Sequence, residues 1–123
     1  MSLISTPYQG IMLLQGAGLP NDTDVPFTGV AVSNAIVLSY GWFSLHIWGS
    51  FTATVQIERS PDNGTTFLPV AIDPTGTYAI YKVPVSLNGF SPDTGVQFRL
   101  NCTAFQNGPV NFRLTQQIEL RRS

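Results

Sequence analysis

An all-β fold, a single-domain antiparallel β-sandwich or barrel of jelly-roll-like type with an extended N-terminal segment, is predicted by three features of this chain. Apolar and polar residues alternate with period two, β-branched and aromatic residues are abundant, and turn-forming clusters recur about every 8 to 12 residues. Helical periodicity is nearly absent. At 123 residues the chain fits one domain, long enough to bury roughly two-thirds of its unfolded surface around one core. The expected division is residues 1–28 as an extended N-terminal arm or first strand and residues 29–123 as the β-sandwich domain.

Taken in order, residues 1–28 are punctuated by Pro7, Gly10, Gly16, Gly18, Pro20 and Pro26, which interrupt regular structure. The apolar run Ile11, Met12, Leu13 and Leu14 still needs burial, either in a first strand or as an arm on a neighbouring subunit, so these four are candidate interface residues. Val30 to Tyr40 reads as one or two strands interrupted near Ser33-Asn34. Tyr40-Gly41 reads as a turn, and Trp42 to Trp48 as a strand with Trp42, Ser44, His46 and Trp48 outward against Phe43, Leu45 and Ile47. Gly49 is placed as a bulge before the strand Phe51 to Arg59.

The next segment, Ser60-Pro61-Asp62-Asn63-Gly64-Thr65-Thr66-Phe67, is a hairpin turn with a chemical rationale. Asn63-Gly64 tolerates the positive φ that a type I′ or bulged turn requires. Ser60 and Asp62 carry short oxygen-bearing side chains able to accept the turn's N–H groups, and Phe67 can fold back on the hairpin or core. The pattern resembles the Asp-box, S-x-D-x-G-x-T-W, with Phe67 where tryptophan is usual, and that resemblance implies a structural staple formed by Ser60, Asp62, Gly64, Thr66 and Phe67.

Thr66 to Ile72 is expected as a strand that Pro69 confines to an edge or a bulge. Asp73-Pro74-Thr75-Gly76 is a turn, Tyr78 to Val85 with Pro84 another edge strand, and Leu87 to Phe90 lead to a second turn at Ser91-Pro92-Asp93-Thr94-Gly95. Val96, Phe98, Leu100, Cys102 and Ala104 then form a buried face opposite Gln97, Arg99, Asn101 and Thr103. Asn107-Gly108 is expected to turn the chain into Val110, Phe112 and Leu114 as a C-terminal hairpin, with Arg99 and Arg113 meeting across its outer face.

Composition narrows the function classes. Six basic and seven acidic residues give a net charge of −1, without the cationic field that sequence-independent nucleic-acid binding needs, so no nucleic-acid partner is expected. No apolar run is long enough to span a bilayer as a helix, so no membrane partner is expected either. Charged residues make up only 11% of the chain against about 25% in typical soluble domains, which suggests that much of the surface meets other protein. One histidine, His46, and one cysteine, Cys102, give no zinc constellation. Most carboxylates sit in turns, where backbone capping accounts for them, and no nucleophile, base and orienter occur together. No catalytic residue, metal or cofactor is expected. Trp42 and Trp48, with His46 between them, form either a packed interface or a platform on which sugar rings could stack, so a glycan is a possible ligand.

The order of features, an apolar N-terminal segment, G-W-F-S-L-H-I-W-G-S-F-T-A-T-V-Q-I-E-R-S-P-D-N-G-T-T-F, then V-Q-F-R-L-N-C-T and a final hairpin, resembles small structural proteins encoded among virion genes of tailed bacteriophages. The resemblance spans roughly residues 27 to 118. It implies a non-enzymatic capsid decoration (cement) or head-tail accessory protein, made in the host cytoplasm and residing in the virion. The implied partners are the major capsid protein or other virion proteins, and the implied state is a homo-oligomer, with a trimer favoured. A carbohydrate- or receptor-binding module of a tail or fibre is the alternative.

Overall fold

The computed structural model describes residues 8–71, 77–91 and 95–119, with the backbone alone described for residues 8–13 and 117–119. The described residues contain ten strands and no helix: β1 (Tyr8–Gly16), β2 (Ala31–Val32), β3 (Ile36–Leu38), β4 (Gly41–Trp48), β5 (Thr52–Arg59), β6 (Leu68–Pro69), β7 (Ile80–Tyr81), β8 (Val85–Ser91), β9 (Val96–Asn107) and β10 (Asn111–Glu119). They form two antiparallel sheets. The first has the order β1-β10-β4-β8; in the second, β2 and β3 lie in line along β9, followed by β5, with β6 and β7 in line along its far side.

Counting β2 with β3, and β6 with β7, as interrupted single strands reveals the connectivity. The first strand pairs with the last (β1 with β10), the second with the second-last (β2 and β3 with β9), the third with the sixth (β4 with β8), and the fourth with the fifth (β5 with β6 and β7). This nested pairing, wrapped so that β10 also meets β4 and β9 also meets β5, is a jelly roll. Each interruption has a local cause. At Ser33 the side chain takes the place of a ladder partner: its Oγ accepts the Leu100 N–H at 2.9 Å while its own N–H donates to the Leu100 carbonyl at 2.8 Å. Between β6 and β7 the described residues on both flanks stay on the same partner: the Val70 N–H donates to the Ile57 carbonyl and the Ile57 N–H to the Ala79 carbonyl.

The core lies between the sheets and follows the alternation of the sequence. Leu14, Phe43, Leu45, Ile47, Phe112 and Leu114 face in from the first sheet, and Ala53, Val55, Ile57, Phe98, Leu100 and Cys102 from the second. Each fully buried Val, Leu, Ile or Phe contributes about 1.5–3 kcal/mol of transfer free energy. Two core phenylalanines lie over glycines on the neighbouring strand: Phe112 beside Gly16 and Phe43 beside Gly89, where an added Cβ would come within 2.6 and 2.3 Å of the rings. The end of the core is closed by the buried Gln116, whose side-chain amide donates to the Ser39 carbonyl at 2.7 Å and accepts the Ser39 N–H at 2.8 Å.

Several expected connections differ. Asn107-Gly108 does not close a hairpin: β9 and β10 belong to opposite sheets, so the chain turns a corner there, and Gly49 likewise sits where the chain leaves β4 for β5 rather than at a bulge. A local turn signal is the same whether the next strand pairs back or crosses over. Arg99 and Arg113 accordingly occupy different sheets and do not meet. The strand expected at Thr66 to Ile72 contracts to Leu68–Pro69, and the one at Tyr78 to Val85 splits at Lys82–Pro84, where the chain passes from β7 in one sheet to β8 in the other. Residues Leu87 to Phe90, read as the approach to a turn, lie within β8. Ala104 is exposed because the β5–β9 register shifts between Thr54 and Val55, which inserts Thr103 and reverses the facing of Ala104 and Phe105 until a second shift inserts Gln106. The turns expected at residues 73–76 and 92–94 fall outside the described residues.

Candidate functional site

The turn after β5 is built as a closed hydrogen-bonded knot. Ser60, buried, accepts the Gly64 N–H on its Oγ at 2.7 Å and donates to Asp62 Oδ1 at 2.9 Å; Asp62 Oδ1 in turn accepts the Thr66 N–H at 2.7 Å. Asn63 and Gly64 both have positive φ, 62° and 93°. The bonds from the Thr66 backbone and hydroxyl, with that from Ser60, hold the Asp62 carboxyl below its usual range. Phe67 does not enter the core. Its ring is half-buried and carries the Arg99 guanidinium, whose Cζ lies 4.1 Å from the ring centroid. Arg99 Nε donates to Glu58 Oε1 at 2.7 Å, and Glu58 Oε2 accepts from Gln56 at 2.6 Å and Asn101 at 2.9 Å. Burial alone raises the Glu58 carboxyl, but these three donors and the charge of Arg99 outweigh it and keep the group ionised. The knot, Phe67, Arg99 and Glu58 thus form one staple on the outer face of the second sheet.

The loop from β1 to β2 is fastened in the same way. Asp22 Oδ1 accepts from the buried Gln15 amide at 2.7 Å and its Oδ2 from the Ala17 and Leu19 N–H groups at 2.8 and 3.0 Å, while Asp24 Oδ2 accepts the Asn34 N–H at 2.7 Å. These carboxylates are structural. Ile11, Met12 and Leu13 run in β1 beside β10, with side chains outside the described residues, whereas Leu14 is buried in the chain's own core and is withdrawn from any partner.

The outer face of the first sheet carries a different set. Trp42 is 62% exposed and Trp48 38%, both on β4. Phe90 of β8 stands directly across from Trp42, with ring centroids 5.1 Å apart, and Tyr40 packs edge-on against Phe90 at the same distance. Between the tryptophans lie two polar rows. In one, Ser44 Oγ donates to Asn88 Oδ1 at 2.8 Å; in the other, Ser86 Oγ lies 2.8 Å from His46 Nδ1, with Arg113 opposite His46 on β10. The sequence pointed to Trp42, His46 and Trp48 but not to Phe90, Asn88 or Ser86. Their alternation with Val85, Leu87 and Gly89 was a usable signal, masked by Pro84 and Gly89.

Ser86 and His46 are a nucleophile-type and a base-type side chain brought together from strands 40 residues apart. They lie on an open sheet face, and the neighbour across from His46 on β10 is Arg113, a cation that cannot act as the acidic orienter of a triad. A cleft of about 350 Å³ between the sheets is lined by Phe43, Ile57, Val70, Leu87 and Phe98, with Arg59 and Tyr81 its ionisable groups. Burial pushes the Tyr81 hydroxyl up, so it stays protonated at neutral pH. Burial likewise pushes the Cys102 thiol up within the core. Among the described residues no three His, Cys, Asp or Glu side chains converge as a metal site, and no helix is long and apolar enough to cross a membrane.

Compared with known protein families, curated proteins and solved structures, the chain matches none.

Proposed function

We propose that this chain is a non-enzymatic structural protein of a virus particle, a capsid decoration protein that ties adjacent coat subunits together in the assembled phage head. The observation that carries this reading is a sheet edge whose own strands carry no charge and which is guarded only at its middle. Between Asp24 and Glu58 the chain contains no Lys, Arg, Asp or Glu, and this stretch supplies β2 and β3, the outer edge of the second sheet. Val25, Val30, Val32 and Val37 are each 49–70% exposed along this edge and the segment leading into it. Edge strands of freely diffusing proteins are guarded by charge, proline or a covering loop, because their free N–H and C=O groups recruit other chains. Here the guard is confined to the middle of the edge, where Ser33 interrupts the ladder and Asp24 of the preceding loop caps the Asn34 N–H, and valines project on either side. Such an edge suits addition to a neighbouring coat subunit through backbone hydrogen bonds and aliphatic burial.

The mechanism would be linkage: a protein that binds the assembled shell and not its separated subunits stabilises the shell by that difference. A rigid jelly roll with a stapled outer face is suited to bear such a load, and the sequence resemblance to virion proteins supports the same reading. The test is co-sedimentation of purified protein with phage heads from a genome lacking its gene. Wild-type protein should bind and raise the temperature of genome release, while a Val30→Asp/Val37→Asp variant should fold with the same far-UV spectrum and stay in the supernatant. Heads that ignore the wild-type protein, or bind the double variant equally well, overturn the proposal.

A further inference from the structure

The outer face of the first sheet does not have the anatomy of a protein–protein interface. Such interfaces place aromatic anchors at a dehydrated centre and polar groups at a wet rim. Here the order is reversed: Tyr40, Trp42 and Phe90 stand at one end, Trp48 at the other, and the centre is polar. Trp42 and Trp48 are six residues apart on one straight strand, a separation of about 20 Å. The central side chains are already oriented by one another. Ser44 bonds the Asn88 carbonyl oxygen, which leaves the Asn88 amide N–H groups facing out, and Ser86 engages His46 Nδ1, which leaves Nε2 facing out.

We infer that this face binds an extended oligosaccharide bearing a carboxylate, with sugar rings stacked on Trp42 and Trp48 and the acidic sugar at Arg113. A pyranose ring has an apolar C–H face that suits an aromatic surface and a rim of hydroxyls that needs closely spaced hydrogen-bonding groups. A chain of several such rings meets this alternation of aromatic, polar and aromatic ground along its length. The charge assignment follows from the middle of the face. Arg113 is exposed and has no ion pair among the described residues: across from it on β1, Gln15 holds the nearby Asp22 carboxylate, whose two oxygens are taken by the Gln15 amide and the Ala17 and Leu19 N–H groups, and Ser44, His46, Ser86, Asn88, Asn111 and Thr115 on its other side include no carboxylate. A guanidinium left open among hydrogen-bonding side chains recognises a carboxylate through paired N–H donors. The face lies on the opposite sheet from the valine edge, so a protein attached by that edge would keep it open.

The experiment uses the purified full chain on an array of immobilised neutral, sialylated and uronic-acid oligosaccharides, with hits followed by intrinsic fluorescence. The chain's two tryptophans both lie on this face, so their emission reports it alone. Wild-type protein should bind acidic oligosaccharides with a fluorescence change. Trp42→Ala and Trp48→Ala should each weaken binding about tenfold or more, with each variant still folded by its far-UV spectrum at the temperature of the assay. Arg113→Gln should bind the acidic sugar no better than its neutral counterpart. Absence of binding to every sugar on the array, binding that survives both tryptophan substitutions, or a preference for acidic sugars that survives Arg113→Gln would overturn the inference. None of these outcomes depends on binding to phage heads.

Discussion

Replacing Phe67 by alanine tests whether the turn staple acts through the core or through Arg99. The Phe67 ring is half-buried and touches the Arg99 guanidinium at 4.1 Å from its centroid. An exposed cation–π contact is worth about 0.5–1 kcal/mol, and half of a phenylalanine's burial adds roughly 1 kcal/mol. The expected loss is therefore about 1.5–2 kcal/mol. With an unfolding entropy near 2.1 cal/mol/K per residue, that corresponds to a fall in melting temperature of about 6–8 °C for a chain of this length. A core phenylalanine such as Phe112, fully buried, should cost about 3–5 kcal/mol instead, because truncation leaves a cavity. The assay is thermal and urea unfolding of Phe67→Ala, Arg99→Gln and the double variant. The double-mutant cycle should return a coupling of about 0.5–1 kcal/mol. A loss as large as that of Phe112→Ala would mean that Phe67 belongs to the core, and zero coupling would mean that its contact with Arg99 contributes nothing.

Ser60→Ala leaves the Gly64 N–H without the acceptor that Ser60 Oγ now provides at 2.7 Å, so unfolding in urea should show a loss of about 1–3 kcal/mol; an unchanged midpoint would contradict the knot. Gly89→Ala places a Cβ 2.3 Å from the Phe43 ring, and this overpacking should cost about 1–3 kcal/mol by thermal unfolding, whereas a neutral result would mean the ring has room to move. Glu58 has a folded pKa below its unfolded value, so its contribution is complete above the unfolded carboxylate range, near 4.3, and is lost as pH falls through the lower folded value. The stability gap between wild type and Glu58→Gln, measured by urea unfolding from pH 7 to pH 2.5, should therefore close on the acid side. A gap that stays constant would remove the ion pair with Arg99 from the account.

What the sequence disclosed and what it withheld divide along a physical line. Alternation is a local signal. It marks the facing of β4, β5 and most of β9 residue by residue, because the side-chain period of a strand does not depend on which strand lies alongside. The turn at Ser60 to Phe67 was equally readable, since its donors and acceptors lie within eight residues. Pairing partners are different. Nothing in Asn107-Gly108 distinguishes a hairpin from a corner, and the jelly roll joins β1 to β10 across almost the whole chain. The same holds for the contacts that matter most on the surface. Arg99 reaches Glu58 from 41 residues away, and the Tyr40, Trp42 and Phe90 cluster forms only once β8 is laid beside β4. The reversed facing of Ala104 depends on a bulge between two strands, which neither strand shows alone.

The central claim, that this jelly roll works by attachment through its uncharged valine edge, is tested most directly by an electron-microscopy map of the phage particle at a resolution that separates strands. The account predicts the two-sheet fold seated over the junction of coat subunits, with β2 and β3 against the shell and the face bearing Trp42 and Trp48 turned to solvent. Density that shows the protein absent from the particle, or seated with its valine edge open to solvent, would contradict it.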